Sequence, residues 1–92
     1  MALPTFSSSF YLRCAASRTK IELKLTSAQL EYLHQYYTID QSPAEEVFYE
    51  LGQQWKKDDF KFRLDLEQWF FCRRMADWEE RERRQAMPRI AG

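Results

Sequence analysis

The sequence predicts an all-α domain, a three-helix bundle with a helix-turn-helix, flanked by flexible termini. Three observations predict it. Two segments open with a helix-capping pattern, Thr26-Ser27-Ala28-Gln29 and Ser42-Pro43-Ala44-Glu45. Apolar residues after each recur at spacings of three and four, the period of one helix face. The segment from Asp65 to Gln85 then runs without a glycine or proline.

A chain of 92 residues holds one small domain with a modest core. Seven Phe, five Tyr and three Trp supply large apolar groups for it. The formal net charge is zero, from 14 basic and 14 acidic residues, which speaks against a strongly basic nucleic-acid binder. Cys14 and Cys72 lie far apart with no CxxC spacing, so free thiols are expected rather than a disulfide or a metal pair. No apolar run approaches the length that spans a bilayer, so no membrane role is expected.

Residues 1–19 are rich in Ser and Ala, carry Arg13 and Arg18, and have no acid before Glu22. They are expected to be a flexible N-terminal tail, and the same composition would suit a transit-like presequence. The folded domain is expected over 20–84. Its first stretch, Ile21-Glu22-Leu23-Lys24-Leu25, alternates with period two, as a short strand or an extended arm would.

Thr26 then caps a first helix whose buried face is Leu30, Leu33 and Tyr37, ending near Thr38. The second helix is expected to place Pro43 at its first position and to bury Val47, Phe48, Leu51 and Trp55. Gly52 costs such a helix about 1 kcal/mol relative to Ala, which implies a neighbour in close approach.

Asp58 or Asp59 is placed to cap a third helix. The run Phe60–Leu66 alternates with period two, so it fits a strand pairing with 21–25 or the front of that helix. A two-stranded ribbon is marginal alone, which favours the helix. Trp69-Phe70-Phe71-Cys72-Arg73-Arg74-Met75-Ala76-Asp77-Trp78 is its centre, followed by mixed charge with Glu80 and Arg84 at i,i+4 and a C-terminal tail over 85–92. The expected core is Leu25, Leu30, Leu33, Tyr37, Val47, Leu51, Trp55, Leu66, Trp69 and Phe70.

Thr26-x-x-Gln29-Leu30-Glu31-x-Leu33-x-x-x-Tyr37, then Pro43 and Leu51, then Trp69-Phe70-x-x-Arg73-Arg74-Met75, resemble the three helices of the homeodomain over about residues 18–84. The resemblance implies a nuclear regulator of transcription that binds DNA. The positions it assigns to DNA are Arg18 and Lys20 on an arm and Gln68, Phe71, Cys72, Arg74 and Met75 on the third helix.

Several of those positions depart from the family. The residue two after Trp-Phe is an adenine-reading asparagine in homeodomains; here it is Cys72, which has no amide to make that pair. Phe71 offers a base no hydrogen bond. Ala76 and Asp77 stand where basic residues usually follow the arginine pair, Trp78 comes one residue late, and about four additional residues precede Trp69. Over 18–84 there are 12 basic and 14 acidic residues, a balance of −2. Phosphate neutralisation carries most non-specific DNA affinity, so DNA binding is expected to be weak or partner-dependent.

A protein partner is the expectation instead, met by an apolar patch of Phe71, Met75 and Trp78. Arg73 is expected to fold back onto an acid of the first two helices. His34 has no companion ligands, the carboxylates sit in charge-balanced runs, and no nucleophile–base pattern appears, so neither an enzyme, a cofactor, a metal nor a small-molecule substrate is expected. The alternative is a small helical interaction or assembly subunit with no DNA role, in an organelle or the cytoplasm.

Overall fold

The computed structural model describes residues 6–86, which form four α-helices and no strand. They are α1 (Ser8–Glu22), α2 (Ser27–Ile39), α3 (Glu45–Gln54) and α4 (Phe60–Ala86). The all-α class is as the sequence predicts, but the helix count is not. Most of the expected tail over 1–19 and the start of the expected strand or arm over 21–25 are α1. Of the two expected tails, positions 1–5 and 87–92 lie outside the described residues.

α1 begins at Ser7, whose hydroxyl accepts from the Phe10 amide at 3.1 Å. Tyr11, Cys14 and Ile21 are its buried residues. With Arg18 they follow one another at spacings of three, four and three, a single inward stripe. The helix runs antiparallel along α4. The Phe6 amide reaches Glu82 at one end, and Lys24 pairs with Asp65 at 3.3 Å at the other.

α2 starts at the expected capping box: the Gln29 amide donates to Thr26 Oγ1 at 3.1 Å, and the Gln29 side chain accepts from the Thr26 amide at 3.0 Å. The second expected box does not form. α3 starts at Glu45 with Ala44 as an N-cap that makes no side-chain bond. The Ser42 amide is instead committed to Asp40 Oδ1 at 3.0 Å, a local Asx turn that holds Ser42 and Pro43 outside the helix. Glu45 and Glu46 in the first turn still favour the start of α3 through the helix dipole.

Asp59 caps α4, accepting from the Phe62 amide at 2.7 Å. The run from Phe60 is therefore helical. Its period-two look hides a helical stripe of Phe62, Leu66, Trp69 and Phe70, all buried. The α3–α4 turn crosses Gly52 closely: a Cβ there would sit 3.4 Å from the Lys57 carbonyl oxygen and 3.5 Å from Asp58 Cα.

The core joins all four helices through Ile21, Leu33, Tyr37, Phe48, Leu51, Phe62, Leu66, Trp69 and Phe70. Leu25, Leu30, Val47 and Trp55, expected inside, are half-buried at its margin. Trp69 and Phe70 are the largest fully buried side chains and meet edge to face at 5.1 Å. At about 1.5 Å per residue the 27 residues of α4 span about 40 Å, longer than any neighbour, so its C-terminal turns carry α1 alone on one side.

Candidate functional site

Most side chains that the sequence singles out for recognition lie on α4 between Gln68 and Trp78, and α1 packs against Phe71 and Cys72 among them. Cys72 is 2% exposed and faces the stripe of α1 that carries Cys14, itself buried. The two thiols share the wall of a cavity of about 170 Å³ between the helices, with Arg18, Glu22 and Glu79 also lining it. Burial pushes the Cys14 thiol up, and the neighbouring Cys72 thiol adds to the rise. The Cys14 sulfur is therefore not set up as a thiolate nucleophile.

Phe71 is half-buried, with its ring edge to face with Phe10 of α1 at 6.5 Å. Trp78 meets Phe6 in the same way at 6.5 Å and donates its indole N–H to Glu82 at 3.0 Å. Phe6 stacks on Phe10 at 4.8 Å, so one aromatic layer continues from α1 onto α4. Met75 is half-buried. Of the expected interface of Phe71, Met75 and Trp78, two rings are thus spent inside the chain rather than left free for a partner.

Gln68 is exposed and directs its amide to Cys72 Sγ at 3.6 Å. Arg74 donates to the Gln41 carbonyl oxygen at 2.8 Å, clamping the α2–α3 loop. Arg18 is not on a free arm: its Nε pairs with Glu22 at 2.9 Å and its guanidinium lies 5.7 Å from the Trp69 ring centre. Lys20 stands exposed on α1.

A semi-buried polar seam closes the site where α1, α2 and α4 meet. Glu22 accepts from the Trp69 indole N–H at 2.9 Å as well as from Arg18. Burial alone would raise the Glu22 carboxyl, but these two hydrogen bonds and the Arg18 charge outweigh it, and the pKa is lowered. His34 rests edge-on to Trp69 at 5.2 Å, and burial, with Arg18 and Arg73 nearby, lowers its pKa.

Arg73 does not reach an acid of the first two helices. It pairs with Asp77 on its own helix at 3.2 Å and stacks over Tyr37 at 4.7 Å, while Tyr37 donates its hydroxyl to the same carboxylate. Its role is to tie α2 to α4.

On a helix of 3.6 residues per turn, Gln68, Phe71, Cys72 and Met75 share one side, and Leu66, Trp69, Phe70 and Arg73 another. The second side packs on α2 and α3; the first is the side on which α1 lies. What the sequence reading missed is therefore the α1 half of this site: Phe6, Phe10, Tyr11, Cys14 and Ile21. The signal was the Ser7 cap followed by the three–four–three spacing, masked by the serine-rich surroundings and by Arg18 on the inner face.

Among the described residues no three His, Cys, Asp or Glu side chains converge as a metal site would need, and no helix is long and apolar enough to cross a membrane. No protein-family model, curated protein or solved structure matches the chain.

Proposed function

We propose that this chain is a non-catalytic regulator that acts through protein contacts, built on a homeodomain-like core of α2, α3 and α4 whose reading helix is covered by α1. By that resemblance it belongs to the nucleus and to the control of transcription, with α4 no longer reading bases in the four-helix state. One observation carries the reading: α1 packs along the side of α4 that holds Phe71 and Cys72, the side a homeodomain would present to the major groove. A duplex and α1 compete for the same surface.

The charge balance points the same way. Zero net charge over the chain leaves little counterion release to drive DNA association. Arg18 and Arg74, two of the expected phosphate contacts, are engaged with Glu22 and the Gln41 carbonyl.

The test is fluorescence anisotropy of the whole chain with a randomised duplex pool across a salt series. No binding at low salt is the expected result. Binding that weakens steeply with salt, and weakens further in Arg74→Ala, would overturn the reading. A chain that ignores DNA even after Phe6 and Phe10 are replaced by Ser to free α4 would favour the second reading, an assembly subunit with no DNA role.

A further inference from the structure

We infer that this chain associates with copies of itself, the outer face of α1 in one copy seating in the groove between α3 and α4 of the next. This names a partner for the protein-contact reading above and rests on it, but apart from Thr19, which also borders the α1–α4 cavity, it uses surfaces away from that seam.

The receiving groove is apolar at its centre, and its walls carry Glu45 and Glu67 together with Arg63 and Arg74. Two adjoining cavities, of about 150 and 280 Å³, share Glu45, Phe48 and Glu67 in their linings and so form one trough along the α3–α4 seam. At its open end Phe60 is 69% exposed, with Leu64 and Tyr49 about half so. Tyr49 is held in place by the Arg63 guanidinium 4.0 Å above its ring, and Arg63 is neutralised by Asp58 at 2.8 Å. Glu45 and Glu67 have no ion-pair partner among the described residues. α3 as a whole carries three glutamates and no basic residue. With Arg63 paired to Asp58 and Arg74 held on the Gln41 carbonyl, Glu45 and Glu67 still leave the apolar trough a net negative rim, which suits a basic amphipathic helix.

The chain carries such a helix. On the outside of α1, Leu12, Ala16, Thr19 and Leu23 recur at spacings of four, three and four, and all four are exposed, Leu12 at 70% and Leu23 at 81%. Arg13 and Lys20 run alongside, exposed and without an ion-pair partner among the described residues. The only carboxylate of α1, Glu22, is turned inward to Arg18 and Trp69. The lengths agree as well. Leu12 to Leu23 spans about 17 Å of helix and the groove from Phe60 to Arg74 about 21 Å, at 1.5 Å per residue.

The two faces are different and lie on different helices, so the contact is head to tail and each copy keeps one face free for the next. A chain with zero net charge, basic on one outer face and acidic on another, has no long-range repulsion to oppose this.

The experiment is sedimentation velocity of the full chain over a hundredfold range of concentration, at low and high salt, with circular dichroism to confirm that each variant is folded. Wild type is expected to associate as concentration rises and to dissociate as salt screens the exposed charges. Arg13→Glu with Lys20→Glu, and separately Glu45→Lys with Glu67→Lys, should each shift association to a concentration at least about tenfold higher, because like charges then face each other. An equimolar mixture of the two variants should associate again, since each α1 then meets a groove of opposite sign. Leu12→Ser with Leu23→Ser, both outside the core, should abolish association in the same way.

Wild type that stays monomeric throughout, association untouched by either charge reversal, or a mixture that fails to recover would each overturn the inference. A monomer that also ignores the duplex pool leaves the proposed function standing, whereas a self-associating chain that binds duplex does the reverse.

Discussion

Phe10 of α1 and Phe71 of α4 meet edge to face, ring centres 6.5 Å apart and planes at 89°. Phe71 stands where a base-reading side chain is expected, and its ring is met instead by a ring of the same chain. An edge-to-face pair adds about 0.5–1.5 kcal/mol to what the buried area contributes. Small pairwise terms of this kind decide whether α1 stays docked.

Phe10→Ala is therefore expected to loosen α1 before it loosens the rest. Half-buried, Phe10 should cost about 1–2 kcal/mol on truncation, less than a fully buried aromatic. Amide exchange should accelerate over residues 8–22 while α2 and the first half of α4 keep their protection. Uniform acceleration across all four helices would mean that α1 is part of one cooperative unit rather than a cover on it.

Tyr37 and Asp77 supply a second check. Burial and the hydrogen bond to Asp77 push the Tyr37 phenol up to about 12. A raised phenol pKa favours the protonated form in the fold, so this stabilisation is complete below the unfolded value of 10 and is lost as pH climbs through about 12. Burial and Glu82 push Tyr11 up to about 12 as well, so ultraviolet titration should show two tyrosines ionising late, and Tyr37→Phe should remove about half of that late step. The same variant leaves Asp77 to Arg73 alone and should cost about 1–2 kcal/mol in denaturant unfolding.

The acid side is governed by Glu22 and His34. A lowered carboxyl stabilises the fold above its unfolded pKa and stops doing so as pH falls through the folded value. A histidine held neutral acts in the same direction: its contribution is whole above 6.5 and declines as pH drops below it. The melting temperature should accordingly fall on acidification, beginning just below neutrality. His34→Gln should flatten the first part of that fall and Glu22→Gln the later part. A melting temperature that rises between pH 7 and 5 would contradict the His34 assignment, and one that rises as pH falls below 4.5 the Glu22 assignment.

Where a helix announces itself through a cap and a wide apolar stripe, the sequence and the structure agree. Thr26 with Gln29, and Leu33 with Tyr37, placed α2; Trp69 and Phe70 placed the centre of α4. Ser42 misled because its pattern matches a capping box while Asp40, two residues earlier, takes its amide first. α1 was the larger omission. Its inner stripe is interrupted by Arg18, whose charge is acceptable there only because Glu22 and the Trp69 ring receive it, and both partnerships are invisible without the fold. Cys72 read as a lost asparagine; that it faces Cys14 follows only from the antiparallel packing of helices whose cysteines lie far apart in the chain.

The missing cap on α3 is itself a prediction. Ala44 occupies the N-cap position with extended backbone angles, φ −67° and ψ 156°, and makes no side-chain bond. Ala44→Asp puts an acceptor before the free amides of the first turn and should raise stability by about 1 kcal/mol. Added to Ser42→Ala, which removes no cap, it should keep its full effect. A loss of stability would show that the Asp40–Ser42 turn controls the start of α3.

The end of α3 offers the last test. Lys56 has φ 56°, the left-handed region. It closes a Schellman motif, with the Lys57 amide on the Gly52 carbonyl at 2.8 Å and the Lys56 amide on the Gln53 carbonyl at 3.2 Å. A side chain there is held against its Cβ preference, at a cost of about 1 kcal/mol. Glycine removes that cost, offset in part by the greater freedom it gives the unfolded chain. Lys56→Gly should therefore stabilise by about 0.5–1 kcal/mol, read as a higher denaturant midpoint at unchanged slope. Lys56→Ala, which keeps the Cβ, should leave the midpoint where it was. Equal effects of the two would assign the gain to the lysine charge instead of the backbone.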